Sequence, residues 1–432
     1  MKARQVIGLV MAIILVALIA GITMRATLSS LAAVRKVPAL TATPTTATLV
    51  DRSVTPETVP DDMGTPELIP PCEFEVQAQP MSSDSSLDAY VFSEPEVVLT
   101  STTAIRLFQW LPDGHTWLIG RAMTERAGEY IETFDLVTGE IKRYAERRSS
   151  AGKPIWLSSE QAVAFVDSMP PDYTKVLYLA RGEDSPVEEL ATDLASSLLS
   201  LSPDGRSVIY FSNTQGMQSL ELRQATVPGS PATGWTGRAI AGRVYGGVWR
   251  ADGQKVAMYG KDGLYLVDQV TGAMCEIDLG RVGAGEYSKV RASNVTWSTD
   301  GRYLAMLTSY GNPVQFLSLK IVDTLTGKLY DVEFDGRFAY SIGWSPSNNI
   351  LLTTIDANPD PSLGSFDSLC LVDAATYSVR PILPEHQFFA AGYFGALWSP
   401  DGKTVGVACS DVVPPDEVIE WRVCTTSVEM QR

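Results

Sequence analysis

The sequence predicts an all-β chain folded as a seven-bladed β-propeller of four-stranded antiparallel blades, and three observations predict it. A short phrase recurs seven times between Trp110 and Trp398: an apolar strand closing on Trp or Leu, a Pro-Asp-Gly-like turn, then a second strand. A period-two strand follows the turns, as in Ser207-Val-Ile-Tyr-Phe211, Lys255-Val-Ala-Met-Tyr259 and Tyr303-Leu-Ala-Met-Leu307. A second turn signature, Asp-x-x-Thr-Gly, recurs at Asp135 to Gly139, Asp268 to Gly272 and Asp323 to Gly327, with a decayed copy at Asp373 to Tyr377. It falls where the third and fourth strands of a blade would join.

The copies of the first phrase are Trp110-Leu-Pro-Asp-Gly114, Trp156-Leu-Ser-Ser-Glu160, Leu201-Ser-Pro-Asp-Gly205, Trp249-Arg-Ala-Asp-Gly253, Trp297-Ser-Thr-Asp-Gly301, Trp344-Ser-Pro-Ser-Asn348 and Trp398-Ser-Pro-Asp-Gly402. Their starts lie 46, 45, 48, 48, 47 and 54 residues apart, the period of a propeller blade and not of a helical solenoid. Pro presets φ at the first turn position, Asp accepts nearby backbone N–H groups, and Gly takes the left-handed conformation that a bulged hairpin requires. After Trp398 only 34 residues remain, enough for strands near Leu397, Val405 and Val418 to Cys424. The segment Glu94 to Thr100 precedes the first complete repeat without a blade of its own. It is expected to complete the last blade, because closure removes open sheet edges.

These turns resemble the TolB-type propeller repeat, whose hallmark is an apolar strand followed by Trp-Ser-Pro-Asp-Gly-(Lys/Arg). The resemblance covers about residues 94 to 430, and five of the seven copies keep the Asp-Gly pair. Trp156 to Glu160 lacks the Gly, and Trp344 to Asn348 replaces it with Asn. The resemblance implies a rigid extracytoplasmic platform, used as a binding module or as a domain appended to hydrolases.

Two segments precede the propeller, which is expected over 91–432. Residues 5–24 carry no charge and are long enough to span roughly 30 Å of hydrocarbon as a helix. An N-terminal transmembrane anchor over 1–25 is the favoured reading. A cleaved signal sequence, which would make the protein secreted, is the rival, but no convincing small-x-small cleavage site and no lipobox Cys follow the apolar run. Residues 26–90 form a Thr/Pro-rich linker, too poor in apolar side chains to repay ordering and so expected to be a disordered, solvated tether. Basic residues flank the apolar run on both sides, so topology rests on the tether and platform. These place the chain as a single-pass protein of a bacterial cytoplasmic membrane, with the propeller on the extracytoplasmic side.

A formal charge of −16 argues against a nucleic-acid partner, which needs a basic footprint. With two histidines and no Cys-x-x-Cys, metal sites and His-based triads have almost no material, so no cofactor or metal is expected. There is no Gly-x-Ser-x-Gly elbow, P-loop or dinucleotide fingerprint. The repeated Asp113, Asp204, Asp252, Asp300 and Asp401 suggest paired-carboxylate chemistry, yet their fixed turn positions favour a structural role. The five cysteines leave two readings open: a Cys409–Cys424 disulfide between neighbouring strands, or buried thiols.

The loops leading into each innermost strand share one face of a propeller, around its channel. Here they bring Arg243, Tyr245, Arg281, Lys289, Arg291, Arg337, Tyr340, His386 and Tyr393 to that face as candidate ligand-binding residues. Cations and aromatics together can hold an anionic or sugar-like group or a peptide; solvated Arg and inter-blade aromatics are the plainer account. The reading that follows is a non-catalytic extracytoplasmic binding or protein-interaction platform, membrane-tethered by its N-terminal helix, with a protein partner or a peptide or glycan ligand on the channel face. The alternative is a propeller-type glycan-active hydrolase or lyase with acids converging at the channel.

Overall fold

The structure is a computed structural model. It describes residues 69–74 and 87–431, apart from 125–126, 149–151, 170–172, 206, 214–215, 222–243, 261–262, 283–288, 312–314, 335–336, 357–366, 385–387, 389–395, 410 and 414–416. The chain is an all-β propeller, built of sheets that follow the repeats in order. Sheet 1 comprises Ile105–Trp110, Thr116–Ala122, Glu129–Asp135 and Ile141–Arg147, and sheet 2 Ile155–Leu157, Ala162–Met169, Thr174–Ala180 and Glu188–Ala191. Sheet 3 holds Ser200–Leu201, Ser207–Ser212 and Gly216–Glu221. Sheet 4 runs from Val244–Trp249 through Lys255–Gly260 and Leu264–Asp268 to Met274–Ile277. Sheet 5 runs from Arg291–Trp297 through Tyr303–Tyr310 and Gln315–Asp323 to Lys328–Val332, and sheet 6 from Ala339–Trp344 through Ile350–Asp356 and Asp367–Asp373 to Val379–Ile382.

The last sheet, sheet 7, pairs Leu397–Trp398 with Thr404–Ala408 and that strand with Glu417–Met430. Its outer edge comes from the other end of the propeller. Glu96–Ser101 pairs antiparallel with it in the register Glu96↔Thr425 to Ser101↔Trp421, and Tyr90–Phe92 continues the edge from Tyr90↔Met430. The segment expected to complete the last blade does so, and Glu417–Met430 runs well past the strand expected near Val418 to Cys424.

The described residues show six complete four-stranded blades rather than the seven expected. Sheet 3 has three strands, and the residues after it, 222–243, lie outside the described ones. Among the described residues the one helix is the 3₁₀ turn Leu87–Ala89, and none is long and apolar enough to cross a membrane; the apolar run at 5–24 lies outside them.

Apolar side chains from one sheet meet those of the next. Phe108, Ile131 and Tyr144 of sheet 1 pack on Trp156, Val163 and Phe165 of sheet 2, and Trp117 and Phe134 on the opposite face pack with Val423 of sheet 7. Burial of this kind, at roughly 25 cal/mol per Å² of apolar surface, is the main force holding the sheets together. Three of the repeat tryptophans add a directional stitch. Nε1 of Trp297 donates to the Val248 carbonyl at 3.2 Å and Nε1 of Trp344 to that of Thr296 at 3.3 Å, each the residue just before the preceding repeat Trp. Trp110 closes the ring the same way, donating to Leu397 at 3.0 Å.

The linker's described part is fastened to this ring. The Cys72 N–H donates to the Glu276 carbonyl at 3.0 Å and the Glu276 N–H to the Pro70 carbonyl at 2.9 Å, so the segment adds in parallel to the outer edge of sheet 4. A Cys72–Cys275 disulfide locks it there. Phe74 then lies against Gly327, where a Cβ would come within 2.5 Å of its ring. Further on, the Tyr90 hydroxyl bonds Asn348, and Arg380 donates to the Leu87 and Tyr90 carbonyls. The expectation of a solvated tether therefore does not extend to Ile69–Phe74. Cys409 and Cys424 form a second disulfide, which settles the choice left open by the sequence, and Cys370 is a buried free thiol.

Candidate functional site

The repeated acids belong to one face of the ring, where the Pro-Asp-Gly and Asp-x-x-Thr-Gly turns lie. Asp113 Oδ1 accepts the N–H groups of His115 at 3.0 Å and Thr116 at 2.9 Å. Asp252, Asp300 and Asp401 accept those of Gln254, Arg302 and Lys403 at 2.9, 2.9 and 3.0 Å. The serine two residues before each of Asp204, Asp300 and Asp401 donates its hydroxyl to that carboxylate at 2.6 Å. The same three serines accept the N–H groups of Ser207, Tyr303 and Thr404 at 2.8–2.9 Å. These bonds favour the ionised form: the Ser399 hydroxyl, then the Lys403 N–H, hold Asp401 below the usual carboxylate range. At Asp300 burial pushes the other way, and its hydrogen bonds outweigh it. The repeated acids are turn scaffolding.

The opposite face carries the starts of the innermost strands around the channel. Of the nine candidates there, Arg243, His386 and Tyr393 lie outside the described residues, and Tyr245 is described only as part of strand Val244–Trp249. Arg281 and Lys289 bridge across the base of one loop, with Arg281 exposed. The Lys289 ammonium is turned to the outer strand of sheet 4, 2.7 Å from Glu276. Arg337 Nε donates to the Phe334 carbonyl at 3.2 Å. Arg291 starts the innermost strand of sheet 5 and Tyr340 is the second residue of that of sheet 6, and the Asn294 side chain joins those strands by donating to the Tyr340 carbonyl at 3.4 Å. The structure thus sets Arg291 and Tyr340 on adjoining strands and engages Lys289 and Arg337 elsewhere.

Sequence reasoning missed a charge cluster on the same face, between sheets 1 and 2. Glu129, 2 % exposed, receives Arg147 Nε at 2.6 Å, a second bond from Arg147 Nη2, and Arg106 Nη1 at 3.3 Å. Arg147, 1 % exposed, also donates to the Gly152 carbonyl at 3.0 Å. Both guanidinium groups stand over the Phe108 ring, at 5.1 and 5.6 Å. Gly120 makes room for this: a Cβ there would lie 2.6 Å from Phe108 and 2.8 Å from the Glu129 carboxylate. Beside them, Asp167 accepts the N–H groups of Arg148 and Ser168 at 3.0 and 2.8 Å. Burial lowers the Arg147 pKa, and Glu129 works against that fall. The other face of sheet 1 repeats the theme, Glu132 receiving Arg121 at 2.7 Å and Arg143 at 3.3 Å. The available signal was the pair of acids, Glu129 and Glu132, inside an apolar third strand.

Lys153 stands at the channel end of the same loop. The residue is exposed, yet desolvation by neighbouring protein atoms first, then Arg106, lowers the pKa of its amine from the ordinary lysine value. A further concavity, an open groove of about 320 Å³ at the outer edge of sheets 1 and 2, is lined by polar groups including Arg143, Arg181, Glu140 and Glu183. Among the described residues no group of His, Cys, Asp and Glu side chains could hold a metal ion. His115 sits on the turn face between Asp113 and Asp135, at 3.8 and 3.7 Å.

No family model matches the chain, and no curated protein matches it. Solved structures do. A chain of the mitotic checkpoint complex matches with TM-score 0.44 at 15% identity, over 82% of this chain and 98% of that one. TolB from Acinetobacter baumannii matches with TM-score 0.39 at 17% identity, over 65% of this chain and 63% of that one. The Cps50 (Swd1) β-propeller domain of Myceliophteria thermophila matches with TM-score 0.46 at 11% identity, over 76% and 99%. These are likenesses of architecture alone.

Proposed function

We propose that the protein is a non-catalytic extracytoplasmic platform, tethered to the membrane through residues 5–24, that binds a protein partner or a peptide or glycan through its channel face. The observation that carries this reading is the Cys72–Cys275 disulfide. It fixes the segment following the tether to the ring, and a structural disulfide belongs to an oxidising compartment. The Cys409–Cys424 bond agrees. The described N-terminal contacts, at Cys275, Gly327 and Asn348, lie on the outer edge and the turn side of the ring, which supports a tether that leaves the channel face open. The turn acids, which a hydrolase reading would recruit, are engaged in backbone turns.

The test is a quantitative pull-down from solubilised envelope using the full chain beside an Arg291→Ala, Tyr340→Ala variant. A protein enriched by the first and reduced about tenfold by the second supports the platform. Enrichment equal in both removes the channel face from the reading, and turnover of a glycan panel by the purified chain replaces the platform with the hydrolase or lyase. Protease added to intact spheroplasts should degrade the propeller; protection would place it inside.

A further inference from the structure

The first turn of sheet 6 departs from the repeat in a way that its own backbone does not require. Ser347 and Asn348 stand where five copies carry Asp and Gly. Ser347 keeps only a 3.4 Å bond to Ser345, against 2.6 Å for the Ser–Asp pairs of Asp204, Asp300 and Asp401. Asn348 does not enter the left-handed region that the five glycines occupy. Its side chain donates instead to the Tyr90 hydroxyl.

A second departure lies at the same seam. Trp297, Trp344 and Trp110 each donate Nε1 to the carbonyl just before the preceding repeat Trp. On that pattern Trp398 would reach the Gly343 carbonyl and stitch sheet 7 to sheet 6. Its Nε1 is buried without a partner, as is that of Trp249 between sheets 3 and 4. A buried donor left unpaired costs folding free energy, so the seam between sheets 6 and 7 has lost a fastening.

What crosses that seam is Leu87–Phe92. Its backbone belongs to sheet 7: Tyr90–Phe92 pairs with Val428 to Met430, and the Gln431 N–H donates to the Ala89 carbonyl at 2.8 Å. Its polar links to sheet 6 come from two side chains of that sheet. Asn348 holds the Tyr90 hydroxyl, and Arg380 Nη1 donates to the Leu87 carbonyl and, at 2.9 Å, to that of Tyr90. Leu87 and Tyr90 are buried in one cluster with Leu352 and Ile382 of sheet 6 and Val405 and Val407 of sheet 7, and the Phe92 ring stands 6.3 Å from Trp398. Phe388, on the connection that enters sheet 7 from the channel face, is buried in the same cluster.

We propose that Leu87–Phe92 is a latch, hinged on sheet 7 and closing on Asn348 and Arg380 of sheet 6, which replaces the missing indole stitch. The seam between sheets 6 and 7 opens when the latch is released, and Phe388 carries that opening to the channel face. A backbone ladder holds the hinge and two side chains hold the closed end, so the closed end lets go first. Closure of the last blade by Glu96–Ser101 is separate, since that strand pairs within sheet 7.

The test is hydrogen exchange read by mass spectrometry on the full chain with disulfides intact. The parent is set beside a Tyr90→Phe, Arg380→Ala variant and beside Arg302→Gln, whose guanidinium engages Asp323 within sheet 5. In the double variant exchange should rise about tenfold in Ala339–Trp344 and Thr404–Ala408, the loss of one charge-assisted hydrogen bond, and change less than about twofold in sheets 2 and 4. Val428 to Met430 should stay protected, and Arg302→Gln should leave both seam strands as in the parent. Should the double variant fail to fold, Tyr90→Phe alone should raise exchange about threefold in the same two strands. Trp398→Phe should unfold closer to the parent than Trp297→Phe, because only Trp297 gives up a bond. An even rise through all sheets, no rise at the seam, a rise confined to Tyr90–Phe92, or Trp398→Phe proving the costlier change would overturn the latch. A failed pull-down leaves the exchange pattern unaffected, so the latch and the platform fall separately.

Discussion

The two faces of the ring are built on different rules. On the turn face one bond set recurs from repeat to repeat: Ser to Asp at 2.6 Å, Asp to a backbone N–H at 2.9–3.0 Å, Gly in the left-handed region at φ near +70°. On the channel face, sheet 1 carries a buried Arg–Glu–Arg cluster that is not part of the repeat. The repeated residues make the architecture, and distinctive chemistry sits where the repeat is broken.

The largest test of that contrast is Glu129→Gln. It leaves Arg147 buried with its counter-charge gone, and truncating one member of a buried pair costs about 3–5 kcal/mol. Urea unfolding of the full chain should show it. A loss below about 1 kcal/mol would mean that the cluster relaxes into water and that the faces differ less than their geometry says. Glu132→Gln should cost less, because Arg121 and Arg143 are about one-third exposed and can turn to solvent.

Next in size is the strap. Replacing both Cys72 and Cys275 by Ser should cost about 2–4 kcal/mol, and more than the same change at Cys409 and Cys424. The first bond spans 203 residues and the second 15, and the longer loop gains more entropy when opened. The reverse order would show that Ile69–Phe74 detaches locally without loosening the ring.

Smaller still are the turns. Asp401→Ala should cost about 1 kcal/mol, the net worth of its Ser399 and Lys403 bonds. Asp252→Ala should cost a similar amount, and the two together should add, because the turns share no partner. Strong non-additivity would mean that the turn face acts as one network, which would sharpen the contrast with sheet 1 from the other side.

Legibility in the sequence followed the same division. Local rules fix the turns, so Trp110 to Gly114 and its copies could be read residue by residue, as could closure by Glu96–Ser101, which follows from a strand left over at one end and a place for it at the other. The decayed turn at Asp373 kept its form with an unexpected residue: Tyr377 takes the left-handed conformation at φ of +60° and stacks on Tyr330 at 3.7 Å. The third repeat kept its turn, yet its sheet shows three described strands. Cys72 with Cys275, and Glu129 with Arg106 and Arg147, join distant positions through tertiary packing, which no local pattern encodes. Among the described binding-face candidates, Lys289 turns away for a related reason. A loop's membership of a face follows from topology, but the direction of a side chain such as Lys289 is set by a partner, Glu276, that the loop sequence does not contain.

The smallest effect separates the faces by pH. The turn-face carboxylates Asp113, Asp252, Asp300 and Asp401 have folded-state pKa values below their unfolded ones. Their contribution is complete above the unfolded value of about 3.9 and is lost as pH falls through the folded values, so stability should hold level to about pH 4 and decline below it. Lys153 acts at the other end. Its folded pKa is lowered, so the unfolded chain binds the extra proton, and its penalty lifts as pH rises from the folded value towards about 10.4. Tyrosines oppose this near pH 10 and above. Burial pushes Tyr303 up to about 12, so the folded state resists its ionisation and stability falls there. The difference between the parent and Lys153→Gln cancels the tyrosine contribution, since Tyr303 lies in sheet 5, away from the loop that carries Lys153. That difference should shrink as pH rises towards the unfolded value of about 10.4, the parent gaining on the variant. Parallel pH profiles would mean that Lys153 is ordinarily solvated, in keeping with its exposure, and the contrast between the faces would then rest on the Glu129 cluster alone.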